Sequence, residues 1–226
     1  MSPELSIVVP VYNESANVPE LLSHLKPYQD KGYEVILVDG QSTDDSFDLI
    51  QAQGFTVIRS ERSRALQMNQ GARHATGDIL LFLHADTRLP DNADALIVQA
   101  LAKPNTVWGR FDAFIVGRHP LLKVVARMMN WRSRLTGIAT GDQAIFVRRT
   151  VFESLGGYAQ QPLMEDVELC RRLLKLGKPE CLTAKIATSG RRWEQRGVVR
   201  TIVLMWQLRW AYWRGANPED LARRYR

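Results

Sequence analysis

The chain has 226 residues, 45% of them hydrophobic, which is enough for one large domain with a substantial core. No apolar run approaches the ~20 residues that cross a bilayer, and no basic segment precedes a long apolar one at the N-terminus, so we expect a cytoplasmic protein without signal peptide or transmembrane helix. The two cysteines, Cys170 and Cys181, are too few for a disulfide framework, and we expect both to be buried thiols.

The net charge of +6 is concentrated at one end of the chain. Residues 188–226 contain nine arginines and only three acids, whereas the rest of the chain carries equal numbers of basic and acidic side chains. A charge confined in this way indicates one anionic surface or ligand rather than a generally basic protein.

The first half of the chain alternates strand-like and helix-like segments separated by short turns. In chain order we expect strand 5–12, helix 19–28, strand 33–39, helix 44–54, strand 55–60, helix 63–75 and strand 78–84. Near-continuous apolar strands between helices predict an α/β fold with a mostly parallel central sheet, buried on both faces and flanked by helices.

The second half changes pattern. We expect strand 106–116, helix 119–135, strand 141–149 and helix 164–178, followed by a helical C-terminal tail. No linker or repeat separates the halves, so we predict one domain over residues 1–195, with a ligand-binding half 1–104 and a facing half 105–195. Residues 196–226 form an amphipathic helical extension in this interpretation.

Three polar clusters directly follow predicted strands: YNES (12–15), DGQSTDD (39–45) and HADT (84–87). Ligands of such sheets bind beyond the carboxyl ends of the strands. Any one cluster alone is ordinary turn chemistry. Their shared position predicts a binding site at this edge.

Five segments, taken in order, resemble family 2 glycosyltransferases of the GT-A nucleotide-diphosphosugar fold. These are residues 6–15, 36–46, 65–87, 141–149 and 164–177. The FLHADT form and the short chain are most similar to the small bacterial branch of radical-SAM/selenodomain-associated transferases. The resemblance implies transfer of a sugar from a UDP- or GDP-sugar to a hydroxyl acceptor, with inversion.

For the donor, the resemblance implies that Asp39 reads the base and that Glu14 lies near the same pocket, with Pro10 and Tyr12 in the first segment. The alternative for Asp39 is a turn before Gly40. Several residues at the start of the third helix suit phosphate, because guanidinium groups and helix-terminal N–H groups bind anions. They are Arg62, Arg64 and Asn69. The alternative for the arginines is solvated charge on the helix surface. Asn69 and Gly71, which match a family segment near the donor, could instead support helix packing.

A diphosphate leaving group needs an electrophile such as Mn²⁺ or Mg²⁺, which prefers oxygen ligands. The family's Asp-x-Asp motif is here His84-Ala85-Asp86, so the resemblance leaves Asp86 as the metal ligand. His84 either contacts ribose or phosphate, supplies a ligating nitrogen, or only ends a strand.

The acceptor's proton needs a base. By resemblance this is Asp166, with Glu165 orienting it, although acids also favour a first helical turn through the helix dipole. Gly141 and Asp142 are expected on the acceptor side. Arg192 and Trp193 resemble the end of a Gln-x-x-Arg-Trp motif whose leading Gln is missing, which favours single transfer over polymerisation.

The tail carries an apolar stripe at helical spacing, made of Val199, Val203, Trp206, Trp210 and Trp213, flanked by arginines. Such a helix suits an anionic membrane surface. Packing on its own domain or homodimerisation is favoured slightly over the membrane, unless the acceptor is lipid-linked.

Two other functions were weighed. A sugar-nucleotide pyrophosphorylase needs a glycine-rich phosphate loop after the first strand, and residues 10–20 contain no glycine. A nucleic-acid-binding module would use the Arg/Trp tail, but the neutral remainder with acids at strand ends has the wrong sign for phosphate backbone. The prediction is therefore a metal-assisted glycosyltransferase.

Overall fold

The computed structural model describes residues 4–225. Its first half alternates strands and helices as the sequence predicts. The strands are β1 Leu5–Val11, β2 Glu34–Asp39, β3 Thr56–Arg59, β4 Ile79–Phe82 and the short β5 Thr87–Arg88. The helices are α1 Val18–Asp30, α2 Ser46–Ala52, α3 Arg64–His74 and α4 Ala93–Ala102. Of these, β5 and α4 were not predicted.

The second half supplies β6 Trp108–Val116, β7 Phe146–Arg148 and β8 Glu180–Ser189. Its helices are α5 Leu121–Thr136, α6 Arg149–Ser154, α7 Glu165–Leu173, α8 Arg191–Arg196, α9 Val198–Trp213 and α10 Pro218–Tyr225. The predicted strand 141–149 is wrong in extent, because a 3₁₀ turn occupies Gly141–Gln143 and α6 begins at Arg149. Strand β8 was missed.

One eight-stranded sheet in the order β3-β2-β1-β4-β7-β6-β8-β5 forms the centre. Strands β3, β2, β1 and β4 are parallel neighbours, and β6 is parallel to β8. Strand β7 is antiparallel to both β4 and β6, and β5 to β8. The parallel strands therefore bring the segments after β1, β2 and β4 to one edge.

Apolar side chains cover both faces of the sheet, because alternate residues of the buried strands point to opposite sides. Helix α3 approaches β1 very closely: a Cβ at Gly71 would lie 2.3 Å from Val8 Cγ1. Glycine at position 71 is thus explained by packing.

The C-terminal helices pack on the domain through limited contacts. Helix α9 buries Val198, Thr201 and Leu208, and α5 lies beside it through Val125 and Ile202. Nowhere between residues 4 and 225 is there a helix with the length and hydropathy needed to cross a bilayer.

The predicted apolar stripe of α9 does not pack on the domain. Its members Val199, Val203, Trp206, Trp210 and Trp213 are all exposed, the three tryptophans at 64%, 61% and 70%. The prediction that this stripe packs on its own domain is therefore wrong, because the opposite face of the helix makes the contact.

The thiols also differ from expectation. Cys170 is buried, as predicted, but Cys181 is only half-buried because β8 lies near the margin of the sheet. Both are free.

Candidate active site

Hydrogen bonds join the segments after β1 and β2. The amide N–H of Asn13 donates to Ser42 Oγ (3.0 Å), and Asn13 Oδ1 accepts from the Thr43 N–H (2.8 Å). The Ser15 N–H donates to Asp44 Oδ2 at 3.0 Å. Asn13 has a φ of 51°, a left-handed conformation that asparagine tolerates better than most residues. Two of the three predicted clusters therefore form one structural unit.

Asp39 ends β2 and is 1% exposed. Its carboxylate accepts the Ser42 N–H at 3.1 Å, so the turn role weighed for it is present. Beside it, the buried amide of Gln67 donates to the carbonyls of Val11 (2.8 Å) and Val38 (2.7 Å). Gln67 thus fixes the ends of β1 and β2 against α3.

The third cluster is held to the first by Asn17. Its Nδ2 donates to the Ala85 carbonyl at 2.8 Å, and Arg88 Nη1 donates to the same oxygen at 2.9 Å. Arg88 Nη2 in turn donates to Asn17 Oδ1 at 3.0 Å. The three polar clusters predicted from the sequence therefore meet at one edge of the sheet.

The carboxylates of Glu14 and Asp86 interact electrostatically there. Burial raises the pKa of Glu14, Arg191 at 3.9 Å opposes this, and the charge of Asp86 raises it further. A divalent cation would relieve this repulsion, which makes the pair a chemically suitable place for one. Residues 4–225 contain no cluster of three or more metal-ligating side chains, so such a cation would rely on donor phosphates and water for its other ligands.

His84 lies against the Gly141–Asp142 turn. Its Nδ1 lies 3.2 Å from Asp142 Oδ1, while a Cβ at Gly141 would lie only 2.2 Å from its Nε2. The geometry therefore favours His84 as a partner of Asp142 over a metal ligand. The cleft surroundings desolvate Asp142, but hydrogen bonding and positive charge from His84, followed by the charge of Arg64, lower its pKa.

Asp166 lies in the first turn of α7, at the facing wall. Its Oδ2 accepts the Gly141 N–H at 2.9 Å, and its Oδ1 accepts the Val167 N–H at 2.7 Å. Because His84 contacts Asp142, residues 141–142 connect the His84-Ala85-Asp86 segment to Asp166. Gly141 and Asp142, predicted on the acceptor side, thus lie between the edge of the sheet and Asp166.

Glu165 is 3% exposed and lies 3.5 Å from Arg64 Nη1. Burial and then the charge of Asp166 raise the pKa of Glu165, against the lowering effect of Arg64. Arg64, predicted for phosphate, therefore already has a partner in the acid expected to orient the base.

Other predicted donor residues occupy supporting positions. Asn69 Nδ2 donates to the Tyr158 carbonyl and its Oδ1 accepts the Tyr158 N–H, both at 2.8 Å, which favours the packing interpretation. The guanidinium of Arg62 lies 3.9 Å from the ring centroid of Tyr12. Pro10, near the end of β1, pairs with Val38 of β2.

Arg192 and Trp193 take different environments. Arg192 Nη1 donates to the Tyr225 hydroxyl at 2.6 Å, and its guanidinium lies over that ring. Trp193 packs with the apolar cluster around Leu122 and Val198. The residue of this segment that faces the donor edge is Arg191, beside Glu14.

Sequence reasoning missed Gln67, Asn17, Arg88 and Arg191, which build or border the site. Gln67 lies inside a segment quoted for the family resemblance, and Arg191 adjoins the Arg192-Trp193 pair. Asn17 and Arg88 carried no comparable signal.

The fold is shared with solved glycosyltransferases. The mannosyltransferase PcManGT from Pyrobaculum calidifontis, in complex with GDP-Man and Mn²⁺, superposes with a TM-score of 0.61 at 24% identity over 83% of this chain and 57% of its own. TarS 1–349 from S. aureus, in complex with UDP, gives a TM-score of 0.67 at 17% identity over 84% and 60%. The curled α/β sheet is therefore a GT-A fold.

Curated relatives with similar sequences are also named as sugar transferases. An undecaprenyl-phosphate 4-deoxy-4-formamido-L-arabinose transferase of Sodalis glossinidius is 31% identical over 162 residues, which are 64% of this chain and 48% of the relative. An uncharacterized glycosyltransferase of Haemophilus influenzae is 39% identical over 106 residues, 45% of this chain and 36% of its own. The chain spans about half the length, or less, of these relatives.

The sequence model of the protein family described as "Glycosyl transferase family 2" matches residues 6–156, from β1 to the turn after α6. This range contains the three polar clusters at the edge of the sheet and the Gly141–Asp142 turn that links them to Asp166. With more than half of its residues matched, the chain belongs to glycosyl transferase family 2.

Proposed function

We propose that this protein transfers one sugar from a UDP- or GDP-sugar to an acceptor hydroxyl, with inversion and with help from a divalent cation. The observation that carries the proposal is the meeting of three acidic strand-end segments at one edge, connected through Gly141 and Asp142 to Asp166. Residues 1–104 would bind the donor and residues 105–195 the acceptor, with 196–226 as an extension.

On the donor side, Asp39 keeps lone pairs free for a base N–H or a ribose hydroxyl, since its observed partner is one backbone N–H group. Glu14, next to it in this proposal, lies close to the charge of Asp86. Asp86 would hold Mn²⁺ or Mg²⁺, which when bound neutralises the charge that gathers on the diphosphate.

On the acceptor side, Asp166 would take the proton of the attacking hydroxyl. The C1–O bond to the diphosphate breaks, its electron pair leaves with the phosphate oxygen, and a new C1–O bond forms on the opposite face. Each carboxylate oxygen of Asp166 accepts one backbone N–H and has a further lone pair available. The two N–H groups hold the carboxylate in orientation.

We also propose that α5 and α9 lie on an anionic membrane surface. Helix α5, which packs beside α9, also exposes apolar side chains at helical spacing: Val124, Met128, Trp131 and Leu135. Neither helix contains an acidic residue, whereas both carry arginines. Exposed tryptophan beside arginine suits the lipid headgroup region. The two free thiols agree with a reducing compartment, and hence with the cytoplasmic face.

Calorimetry with UDP and GDP, with and without Mn²⁺, tests the donor site. We expect Mn²⁺-dependent binding of one nucleotide, and we expect Asp86→Ala to weaken it by about tenfold or more, because loss of a direct ligand costs at least as much as loss of an outer contact. Asp91→Ala, which removes an exposed acid five residues away, is the matched control. Unchanged binding by Asp86→Ala would show that the metal assignment is wrong.

A further inference from the structure

Two arginines outside the predicted site lie close to the base. Arg132 is on α5 and Arg209 on α9, and both interact electrostatically with Asp166. Leu208, the neighbour of Arg209, belongs to the same apolar cluster as Met164 and Val167, which flank Glu165 and Asp166. Arg209 also interacts electrostatically with Asp142, the residue after Gly141. The two helices pack side by side, so these arginines border the acceptor side of the cleft from two elements.

Neither guanidinium has a partner within the described part of the chain, residues 4–225. The Nη2 of Arg132 is buried and donates no hydrogen bond, and no ion pair or hydrogen bond engages the Arg209 guanidinium. Other shielded arginines have a carboxylate partner: Arg110 pairs with Asp112, although its buried Nε donates no hydrogen bond, and Arg172 pairs with Glu168. An unsatisfied buried donor of this kind is rare and calls for a functional explanation.

The two positive charges also repel each other. Burial, followed by the charge of Arg209, lowers the pKa of Arg132 to about 10. Burial is likewise the main cause that lowers the pKa of Arg209, while Asp166 acts in the opposite direction. Both remain charged at neutral pH, so the fold bears the desolvation cost of two close cations. A bound anion would offset that cost.

We propose that Arg132 and Arg209 bind a phosphate group that the acceptor carries in addition to its reacting hydroxyl. Two guanidinium forks on different helices can present parallel N–H donors to one tetrahedral anion, a geometry in which arginine is superior to lysine. The donor's diphosphate is assigned to other residues, Arg64 being paired with Glu165. The inference rests on the proposed function, because it assigns the acceptor class to the side on which Asp166 acts.

The position of Arg209 connects this subsite to the exposed surface. Helix α9 directs Trp206, Trp210 and Trp213 to solvent, whereas Arg209 is only half-exposed on the side of Asp166. A phosphate at the end of an apolar chain would therefore reach the arginines while its chain follows the tryptophans. Free phosphate esters share the headgroup chemistry but not the apolar contact.

Calorimetric titration of the purified protein with three probes tests the proposal. They are inorganic phosphate, hexyl phosphate and hexanol. We expect both phosphates to bind and hexanol not to bind detectably, with Arg132→Gln and Arg209→Gln each weakening phosphate binding by about tenfold to a hundredfold. Arg127→Gln on α5 and Arg200→Gln on α9, both exposed, are the matched controls. Tighter binding of hexyl phosphate than of inorganic phosphate indicates a lipid-borne source, and equal binding a soluble ester.

The proposal is overturned if neither phosphate binds, if hexanol binds as well as hexyl phosphate, or if the control variants lose as much affinity as the test variants. Arg209→Lys, which keeps the charge, guards against a folding defect and should retain part of the affinity. Nucleotide binding is measured on the same samples. If the unaltered chain binds no nucleotide but still binds phosphate through the two arginines, the donor assignment is wrong and the phosphate subsite is still supported.

Discussion

The proposed donor edge, at the ends of β1, β2 and β4, and the proposed acceptor wall, formed by α5, α7 and α9, differ in how their polar groups are bonded. At the donor edge, Asn13, Asn17 and Asp44 bond neighbouring loops to one another. At the acceptor wall, Arg132 and Arg209 lack partners in the described chain, and the tryptophans of α9 are exposed. In the first region the loops are hydrogen-bonded to one another, whereas the second has polar and apolar groups available for another molecule.

The contrast indicates how the two substrates would be recognised. The loops of the donor edge are hydrogen-bonded to one another before any ligand binds, so they need little rearrangement on binding. Such a pre-organised site suits one class of small ligand. An acceptor wall with unpaired charge and apolar surface gains stability from what binds it. Variants that alter one region at a time test this contrast, and the largest effect is expected at the boundary between the two regions.

The largest effect is expected for Asp166→Asn, at the point where the two regions meet. Removal of the base should lower turnover by about 10²- to 10⁴-fold, while nucleotide binding stays unchanged because asparagine can still accept the Gly141 N–H. Single-turnover kinetics and calorimetry measure the two quantities separately. Glu219→Gln, an exposed acid in the first turn of α10, is the control. Near-normal turnover of Asp166→Asn would remove it as base.

A smaller effect is expected on the acceptor surface. The double variant Trp206→Gln/Trp210→Gln should reduce binding to phosphatidylglycerol vesicles by about tenfold or more, because two large apolar side chains lose their burial in lipid. Flotation at low and high salt measures this, and salt should weaken binding further. Leu176→Gln, an exposed apolar residue away from both helices, is the control.

Light scattering distinguishes the alternative occupant of that surface. If the unaltered chain is a dimer that the double tryptophan variant dissociates, and vesicle binding is absent, the stripe is a subunit interface and the membrane proposal is wrong.

The smallest effect is expected within the donor edge. Burial acts to raise the pKa of Asp44, but hydrogen bonds from Ser46 and Ser15 outweigh it and hold that pKa at about 2, below the usual 3.8. A lowered pKa in the folded state stabilises the protein above the unfolded pKa, and this stability disappears as pH falls towards the folded value. Asp44→Ala should therefore cost about 1 kcal/mol at pH 7, after allowance for solvent screening.

Urea denaturation at pH 7 and at pH 3 measures this. The difference between Asp44→Ala and the unaltered chain should be full at pH 7 and smaller at pH 3, whereas Asp48→Ala, an exposed acid on α2, should differ little at either pH. A difference that grows on acidification would contradict the role of the Asp44 carboxylate.

The parallel half was predictable because its signals are local. Buried parallel strands are apolar throughout, and polar residues follow them directly, so the convergence of Asp39 and Asp86 at one edge followed from topology alone. Strand β8 was missed because its exposure alternates and it has lysine at position 185 and threonine at 183, which blur an apolar run. Its pairing with β6 is a long-range contact that the sequence does not display.

The site was predictable where a motif marks it and obscure where a side chain acts across the fold. Asp166 was predicted as base because Glu165-Asp166 resembles the family's Glu-Asp pair, but Arg132 and Arg209 are single arginines on helices rich in arginine. Which of these faces the cleft depends on how α5 and α9 pack, and packing depends on tertiary contacts rather than on local pattern. The exposed tryptophan stripe illustrates the same point, since periodicity defined the face but not what covers it.

Helix α9 carries both features of the acceptor wall on one rigid cylinder, the tryptophans on one side and Arg209 on another. Each residue turns a helix by about 100°, so inserting or deleting a single residue before Trp206 would rotate both features together. The angle between the tryptophan face and Arg209 around the helix axis is therefore fixed. Substitutions can alter either face, but a change in length would misalign both at once, and loops elsewhere are the places where this protein can tolerate such changes.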